Sequence, residues 1–343
     1  MFLLKECLMN VWKLTAAGNI TRVEEELHPV PGKRRVRVTK LYVNSEDALI
    51  FMGKRRVKYP LIPGRYAVGL VADDNGSPLF PKGARVLLHN YLPAEDTGTA
   101  AKTFTEDEFR ILGQTTDGFL RDFVYVREDE MTLLPDAVSD DKATLLPALA
   151  LARATVETLD VQRGQHIGVI GANVLGLFIS RILIYLQSAP LLIDYRKDRL
   201  DFARTRGVYY NSLNDDNLMT MVGTITGGRL ADSVVFVPSA GDNDTNLSVK
   251  LCAADRHIAF VGHTNIPVPL DLGDVIKKRL TVHGVPDGTD YMETAINLIA
   301  NKAVDLTALR YVTTPADKID QLFAELAANP DRPLDEINII SLV

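Results

Sequence analysis

The stretch from His166 to Asp194, HIGVIGANVLGLFISRILIYLQSAPLLID, constrains the fold of this chain more than any other. It opens with a short apolar run typical of a strand. It then passes through a glycine turn and a helical run, and closes with a second apolar run that ends in Asp194. Strand, tight turn, helix, strand and acid in this order form the layout of a dinucleotide-binding βαβ unit. The sequence therefore predicts a nucleotide site in this stretch.

Each part of this unit has a physical role. A glycine after the first strand lets the backbone turn sharply, and a glycine one helical turn later lets the helix pack closely on the strand. The free N–H groups at the helix N-terminus point at a pyrophosphate. An acid 23 residues after Gly171 can accept hydrogen bonds from the ribose hydroxyls. The predicted cofactor-binding residues are Gly171, Asn173, Val174, Leu175, Gly176, Asp194 and Arg196.

Asn173 departs from the usual G-x-G-x-x-G pattern, because it stands where the middle glycine is expected. Asparagine is one of the few other residues that tolerate a positive φ, although its side chain could crowd the pyrophosphate. The alternative is a βαβ unit that has lost its ligand. Asp194 repels a 2′-phosphate, whereas Arg196 and Lys197 could accept one. We therefore favour NAD as the cofactor and leave NADP open.

The composition bounds the class of protein. The chain has 343 residues, enough for about two domains, and its net charge of −6 argues against a nucleic-acid or anionic-membrane partner. No uncharged apolar stretch approaches the roughly 20 residues that cross a bilayer. Two cysteines, Cys7 and Cys252, lie far apart, which fits a reducing cytosol and excludes a cysteine-built zinc site. We expect a cytoplasmic protein with a small-molecule substrate.

Patterning divides the chain into two regions. Residues 1 to about 90 consist of short β segments between Gly, Asn and Pro turns, which suggests a small β-barrel. A polar excursion over 91–118 follows, which could cover a cleft. From Gln162 strands and helices alternate, as in a doubly wound parallel sheet. The last apolar run, INIISLV, is expected to return to the first region. The predicted fold class is α/β.

Three segments carry a family resemblance: VNSEDALIFMG, YPLIPGRYAVGLV and DGFLRDFVYVREDEMTLLPDAVSDDKATLLPAL. Together with the βαβ unit, they make the chain similar to the medium-chain dehydrogenase/reductase superfamily, in its alcohol and polyol dehydrogenase branch, over nearly the whole length. The resemblance implies a GroES-like β-barrel domain over 1–140, completed by 285–343, and a Rossmann domain over 141–284. It also implies a cleft between the two domains that holds nicotinamide and substrate.

The zinc-binding positions of that family are changed in this sequence. Asn44 stands at the position of a zinc-ligand cysteine, Arg65 and Tyr66 replace a His-Glu pair, and Pro147 stands at a later ligand position. The excursion lacks the cysteines that hold a structural zinc in many relatives. Catalytic zinc needs His, Cys or carboxylate ligands in a tetrahedral array. We therefore expect neither a catalytic nor a structural zinc.

Four residues are candidates to replace the metal. Arg65 could stabilise a developing alkoxide, and Tyr66 could donate a proton if Arg65 lowers its pKa. Glu46 stands at the position of a Ser/Thr proton relay and could act as acid or base, while Asp47 would orient Arg65. The alternative is that Arg65 and Asp47 form a buried ion pair that fills the metal site without any catalytic role.

The leading hypothesis is a zinc-independent NAD(P)(H)-linked oxidoreductase acting on a small polar alcohol, polyol or carbonyl. A non-catalytic nucleotide-binding or scaffold protein is the second, motivated by the loss of every metal ligand and of the middle glycine. A third keeps the enzyme but has it reduce an activated C=C bond, as zinc-free relatives do. The run LTVHGVP lies where family members pair their sheets, so we expect a homodimer or tetramer.

Overall fold

The structure is a computed structural model that describes residues 8–73, 77–92, 110–204, 209–212, 217–238, 245–262, 268–329 and 334–343. The chain forms two compact units. Unit 1 contains the described residues up to Leu145, with Arg310–Asn329 and Glu336–Val343, and unit 2 contains Leu146–Leu309 with Leu334 and Asp335. Among the described residues, no helix is long and apolar enough to cross a membrane.

Unit 1 is built on a mixed sheet. Its elements in chain order are β1 (Leu8–Ala16), β2 (Asn19–Glu26), β3 (Arg34–Val43), α1 (Ser45–Phe51), β4 (Tyr66–Val71), β5 (Arg85–Leu88), β6 (Tyr91–Leu92), β7 (Arg110–Ile111), β8 (Phe123–Val126), β9 (Met131–Leu133), α2 (Asp140–Ala143), β16 (Arg310–Pro315), α10 (Ile319–Ala328) and β17 (Glu336–Ser341). The gap in this numbering is filled by the elements of unit 2.

The large sheet of unit 1 has the order β16-β17-β3-β4-β5-β9, and β8 also pairs with β3. All its pairs are antiparallel except β16–β17. Because β17 pairs with β3, the last strand completes the sheet of the first region, as predicted. Phe51 of α1 packs against Phe323 of α10 with ring centroids 5.5 Å apart, which fixes α1 over the core.

The predicted excursion over 91–118 is described only in part. Tyr91 and Leu92 pair with Ile111 and Arg110 in the two-stranded sheet β6–β7. Residues 93–109 lie outside the described residues. The proposal that the excursion covers a cleft therefore stays a prediction.

Unit 2 is a parallel α/β layer structure. Its elements are α3 (Leu146–Thr158), β10 (His166–Ile170), α4 (Val174–Tyr185), β11 (Ala189–Asp194), α5 (Lys197–Arg204), β12 (Tyr209–Ser212), α6 (Leu218–Ile225), β13 (Ala231–Phe236), α7 (Thr245–Leu251), β14 (Cys252–Val261), α8 (Leu272–Lys278), β15 (Thr281–Val285) and α9 (Met292–Ala300). Six parallel strands have the order β12-β11-β10-β13-β14-β15. This is the doubly wound order 3-2-1-4-5-6, whose turning point lies between β10 and β13.

The boundaries of the units differ from the predicted domain limits. The sequence placed the return to the first domain at 285, whereas unit 1 resumes at Arg310. The reason is that α9 packs against α3 and so belongs with the parallel sheet. Gly288 marks how tight this packing is, since a Cβ there would lie 2.3 Å from the backbone of Ala150.

Candidate functional site

The glycine turn lies at the carboxyl end of β10. Gly171 has φ +105°, and a Cβ at this position would lie 2.4 Å from the Val237 carbonyl oxygen. A Cβ on Gly176 would lie 1.9 Å from the Gly171 carbonyl oxygen. Both positions therefore require glycine because the backbone approaches itself, as the sequence predicted for a turn followed by close helix packing.

Asn173, at the position of the middle glycine of the motif, acts through its side chain. Its φ is −93°, so the tolerance of asparagine for a positive φ is not used here. Its side chain caps α4 instead: Oδ1 accepts a hydrogen bond from the Gly176 N–H at 3.1 Å, and Nδ2 donates to the Pro238 carbonyl at 3.2 Å. The earlier N–H groups of Val174 and Leu175 have no partner within a helix, so they are the donors that can bind a phosphate.

Asp194 ends β11 and is buried. Its Oδ2 accepts the Ala172 N–H at 2.6 Å and its Oδ1 accepts the Arg196 N–H at 2.8 Å, so the carboxylate fixes the glycine turn and its own loop. Each oxygen keeps a further lone pair for a ribose hydroxyl. The Arg196 guanidinium forks onto Asp198 at 2.8 and 2.7 Å, and this hydrogen bonding holds the pKa of Asp198 below its usual range.

A cavity of about 390 Å³ opens at the carboxyl ends of β13, β14 and β15. Its walls are mainly apolar, and the rings of Phe236 and Phe260 stand 5.6 Å apart in it. Pro238, which also lines it, accepts the hydrogen bond from Asn173, so the cavity adjoins the glycine turn. Helix N-terminus, acid and apolar cavity at one sheet edge fit the pyrophosphate, ribose and ring of a nicotinamide dinucleotide.

Arg65 and Tyr66 meet in unit 1 at the start of β4. The Arg65 guanidinium is buried, with only 7% of the residue exposed, and its Nη2 donates to Gln114 Oε1 at 2.7 Å. Arg65 also hydrogen-bonds with the side chain of Tyr66, whose ring stacks on Tyr42. Sequence reasoning missed Gln114, because this buried amide lies in a polar turn, LGQTTDG, that gives no local sign of its partner.

Glu46 and Asp47, the other two catalytic candidates, interact with other groups around α1. Asn44 caps α1: its Oδ1 accepts the N–H groups of Glu46 and Asp47 at 2.9 and 3.3 Å, and Asp47 Oδ2 accepts the Asn44 N–H at 3.0 Å. Glu46 forms a forked ion pair with Arg55, which the sequence did not suggest, at 2.6 and 3.1 Å. Within the described part of the chain, Arg65 and Asp47 do not form the ion pair that we considered.

Burial dominates the electrostatics of this cluster. It raises the pKa of Tyr66 above its ordinary value of 10.0, with Arg65 opposing the shift. The pKa of Tyr66 is therefore not lowered overall, although Arg65 acts in that direction. Burial likewise raises the pKa of Asp47 from 3.8 to about 6, again against the pull of Arg65. The buried Asp47 Oδ1 has no hydrogen-bond partner, which is consistent with a carboxyl that readily takes up a proton.

The raised pKa of Asp47 predicts a pH-dependent stability. The native state keeps a proton up to about pH 6 that the unfolded chain releases near pH 3.8, so this stabilisation is complete at low pH and lost as the pH rises through 6. It amounts to about 3 kcal/mol at most. The free energy of unfolding of Asp47→Asn, measured in urea, should therefore rise relative to that of the wild type as the pH is raised from 4 to 8. Asp317→Asn, at an exposed site in unit 1, is the control, and an Asp47→Asn difference independent of pH would contradict the assignment.

The positions at which the family resemblance implies zinc ligands hold side chains that do not bind zinc. Asn44 caps a helix, Arg65 carries a fixed positive charge, and Pro147 lies buried in the first turn of α3 without a side-chain ligand. Among the described residues, no group of three or more His, Cys, Asp or Glu side chains is placed to hold a metal ion.

Comparison with known proteins shows which proteins the chain is similar to. Residues 30–136 match the alcohol dehydrogenase GroES-like domain. An uncharacterized zinc-type alcohol dehydrogenase-like protein of Haemophilus influenzae is 23% identical over 83% of this chain and 84% of its own. A 2-dehydro-3-deoxy-L-galactonate 5-dehydrogenase of Pseudoalteromonas atlantica is 24% identical over 88% of this chain and 90% of its own. These similarities support the predicted membership of the medium-chain dehydrogenase/reductase superfamily.

Similarity of fold to solved dehydrogenase structures extends over both units. An alcohol dehydrogenase of E. coli CFT073, solved with NADH, has a TM-score of 0.83 and 17% identity over 98% of this chain and 99% of its own. The predicted fold class, a GroES-like domain with a Rossmann domain, is confirmed. So is the predicted enzyme class, a dehydrogenase or reductase.

Proposed function

We propose that this superfamily member is a zinc-independent, NAD-linked oxidoreductase that interconverts a small polar alcohol or polyol and its carbonyl. The main support is the buried Arg65 guanidinium, which is fixed by Gln114 and Tyr66 at the position where the family resemblance implies a zinc-binding pair. A fixed cation repels Zn²⁺ and supplies the positive charge that zinc otherwise brings to the reacting oxygen. We also infer a cytoplasmic location from the two widely separated cysteines, of which Cys252 is a buried free thiol.

Arg65 and Tyr66 have different roles at the reacting oxygen of the substrate. In carbonyl reduction, negative charge develops on the substrate oxygen, and the Arg65 guanidinium stabilises it. Burial raises the pKa of Tyr66, so its hydroxyl is protonated and donates the proton to the substrate oxygen in carbonyl reduction; the phenolate left behind hydrogen-bonds with Arg65 and recovers a proton from solvent. In alcohol oxidation this phenolate is the base that accepts the proton of the alcohol. Glu46 is committed to Arg55 and Asp47 to the N-terminus of α1, so these two position the cluster.

The residues of unit 2 select and hold the cofactor, which supplies hydride transfer when bound. Val174 and Leu175 offer the pyrophosphate their N–H groups, and Asp194 offers the ribose its remaining lone pairs. Arg196 is neutralised by Asp198 and so is not available to a 2′-phosphate. These contacts support NAD over NADP.

A fluorescence titration of EDTA-treated protein with NADH and NADPH tests this assignment. We expect saturable binding of NADH and weaker binding of NADPH. Asp198→Asn should release the Arg196 guanidinium and improve NADPH binding, so that the affinities for NADH and NADPH become more similar. If neither nucleotide binds at millimolar concentration, the cofactor site is refuted and the scaffold hypothesis takes its place.

We further propose that the protein is a homodimer, or a tetramer built from it, joined through β15. This strand is an edge of the parallel sheet, and Val282 in it is 42% exposed. An uncharged edge strand is a template for pairing with a second copy. Val282→Lys should yield a monomer in light scattering, whereas Val30→Lys, at a valine with 40% exposure in unit 1, should not. A monomeric wild type, or an unchanged Val282→Lys dimer, would contradict this interface.

A further inference from the structure

Arg65 differs from the other buried arginines of unit 1. Arg34, 5% exposed, pairs with Asp73 at 3.0 Å, and Arg55, 9% exposed, forks onto Glu46. Arg65 is buried to the same degree, yet its contacts are an amide oxygen and a phenol, and its Nε has no partner. In the part of unit 1 that the structure describes, Arg65 is thus a buried cation without a carboxylate in contact.

The neighbouring acids do not contact the Arg65 guanidinium, although its charge opposes the rise in the pKa of Asp47. Asp47 turns its Oδ2 to the Asn44 N–H, and burial keeps its pKa near 6, so it carries only part of a negative charge at slightly acid pH. Glu46 is occupied by Arg55. A buried guanidinium without a carboxylate in contact is costly, because its desolvation is not offset by a paired opposite charge. Such a group favours a ligand that brings the missing anion.

We propose that Arg65, held by Gln114, binds the carboxylate of a small hydroxy or oxo acid, so that the substrate carries a carboxylate beside the carbon that reacts. A guanidinium offers two parallel N–H donors that match a carboxylate. One uncompensated cation matches a monoanion better than a phosphate dianion. Because Tyr66 hydrogen-bonds with Arg65, the hydroxyl or carbonyl oxygen that Tyr66 serves lies next to the carboxylate. This inference rests on the proposed function and names its substrate class.

The test is calorimetric binding of glycolate to the full-length protein, with ethylene glycol as the neutral ligand of similar size and inorganic phosphate as the second anion. Titrations are run with and without saturating NADH. We expect glycolate to bind at least 10-fold more tightly than ethylene glycol, which corresponds to one charge-assisted contact of about 1.4 kcal/mol. Equal binding of the two ligands, or preference for phosphate, would overturn the proposal.

Gln114→Glu is the decisive variant, because it places a carboxylate where the amide oxygen now lies 2.7 Å from the guanidinium. The variant is isosteric and supplies the missing anion internally. It should raise the melting temperature and weaken glycolate binding by at least 10-fold, as expected for the loss of one charge-assisted contact. Gln321→Glu, on the exposed face of α10, adds the same charge and should leave both unchanged.

Arg65→Lys keeps the positive charge but loses the two parallel N–H donors of the guanidinium, so it separates geometry from charge. It should weaken glycolate binding while the fold is retained. Glycolate binding that is the same in wild type, Gln114→Glu and Arg65→Lys would refute the anion site. NADH binding measured on the same samples keeps this outcome distinct from failure of the proposed function. Intact NADH binding with no glycolate binding refutes the anion site alone, whereas loss of NADH binding refutes the cofactor assignment.

Discussion

Replacing Tyr66 by phenylalanine is expected to lower kcat by about 100-fold or more and to leave NADH binding unchanged. The hydroxyl hydrogen-bonds with Arg65, and burial keeps it protonated at the pH where the enzyme works. The substitution removes only this hydroxyl, so the ring can keep its stacking on Tyr42, with centroids 5.9 Å apart. The loss should therefore appear in the chemical step, as a fall in kcat measured under saturating cofactor and substrate.

Tyr42→Phe is the matched control, since it removes a hydroxyl from the other ring of the same stacked pair. It should keep most of the activity. The pH profile gives an independent readout: because the pKa of Tyr66 is raised, carbonyl reduction by the wild type should not decline as the pH approaches 10. A Tyr66→Phe variant with near wild-type kcat would exclude this residue as the proton donor.

Replacing Gly176 by alanine is expected to lower the free energy of unfolding by about 3 kcal/mol and to abolish NADH binding. The new Cβ would lie 1.9 Å from the Gly171 carbonyl oxygen, a backbone atom that cannot turn away as a side chain can. Strand β10 and helix α4 must then separate, which moves the helix N-terminus from the position where it can meet a pyrophosphate. Urea unfolding and NADH fluorescence measure the two effects.

Gly223→Ala provides the comparison, because Gly223 lies in α6 and a Cβ there meets nothing within 4 Å. This change should raise the free energy of unfolding by about 0.5–1 kcal/mol, since alanine favours the helix, and leave NADH binding intact. If Gly176→Ala proves as stable as the wild type, the close approach of α4 to β10 is not what requires this glycine.

The sequence allowed the βαβ unit to be predicted from local patterns alone. The apolar runs, the glycine spacing and the acid at 194 correspond to β10, the turn, α4 and β11, because each depends on residues near in the chain. The role of Asn173 was not predicted, since tolerance of a positive φ is only one way to replace a glycine there. The structure uses the side chain as a helix cap that bonds to Pro238, 65 residues away.

The Arg65 cluster shows where sequence reasoning stopped. Adjacency of Arg65 and Tyr66 suggested a lowered phenol pKa, but burial of the phenol outweighs the neighbouring charge. The partners Gln114 and Arg55 lie 49 and 9 residues from the groups that they hold, in segments without any pattern that pairs them. Such contacts are set by how the sheet of unit 1 folds, so they become visible only in three dimensions.

Turnover by metal-free protein tests the central claim most directly. The protein is dialysed against EDTA, its zinc content is determined by elemental analysis, and NADH oxidation is followed with a panel of small oxo acids and polyol-derived ketones. The account predicts turnover without zinc, no gain on adding Zn²⁺, and an alcohol as the product by mass spectrometry. Turnover that appears only when Zn²⁺ is added would contradict the role assigned to Arg65. If the protein instead reduces only the C=C bond of an enone added to the panel, enone reduction would replace carbonyl chemistry as its function.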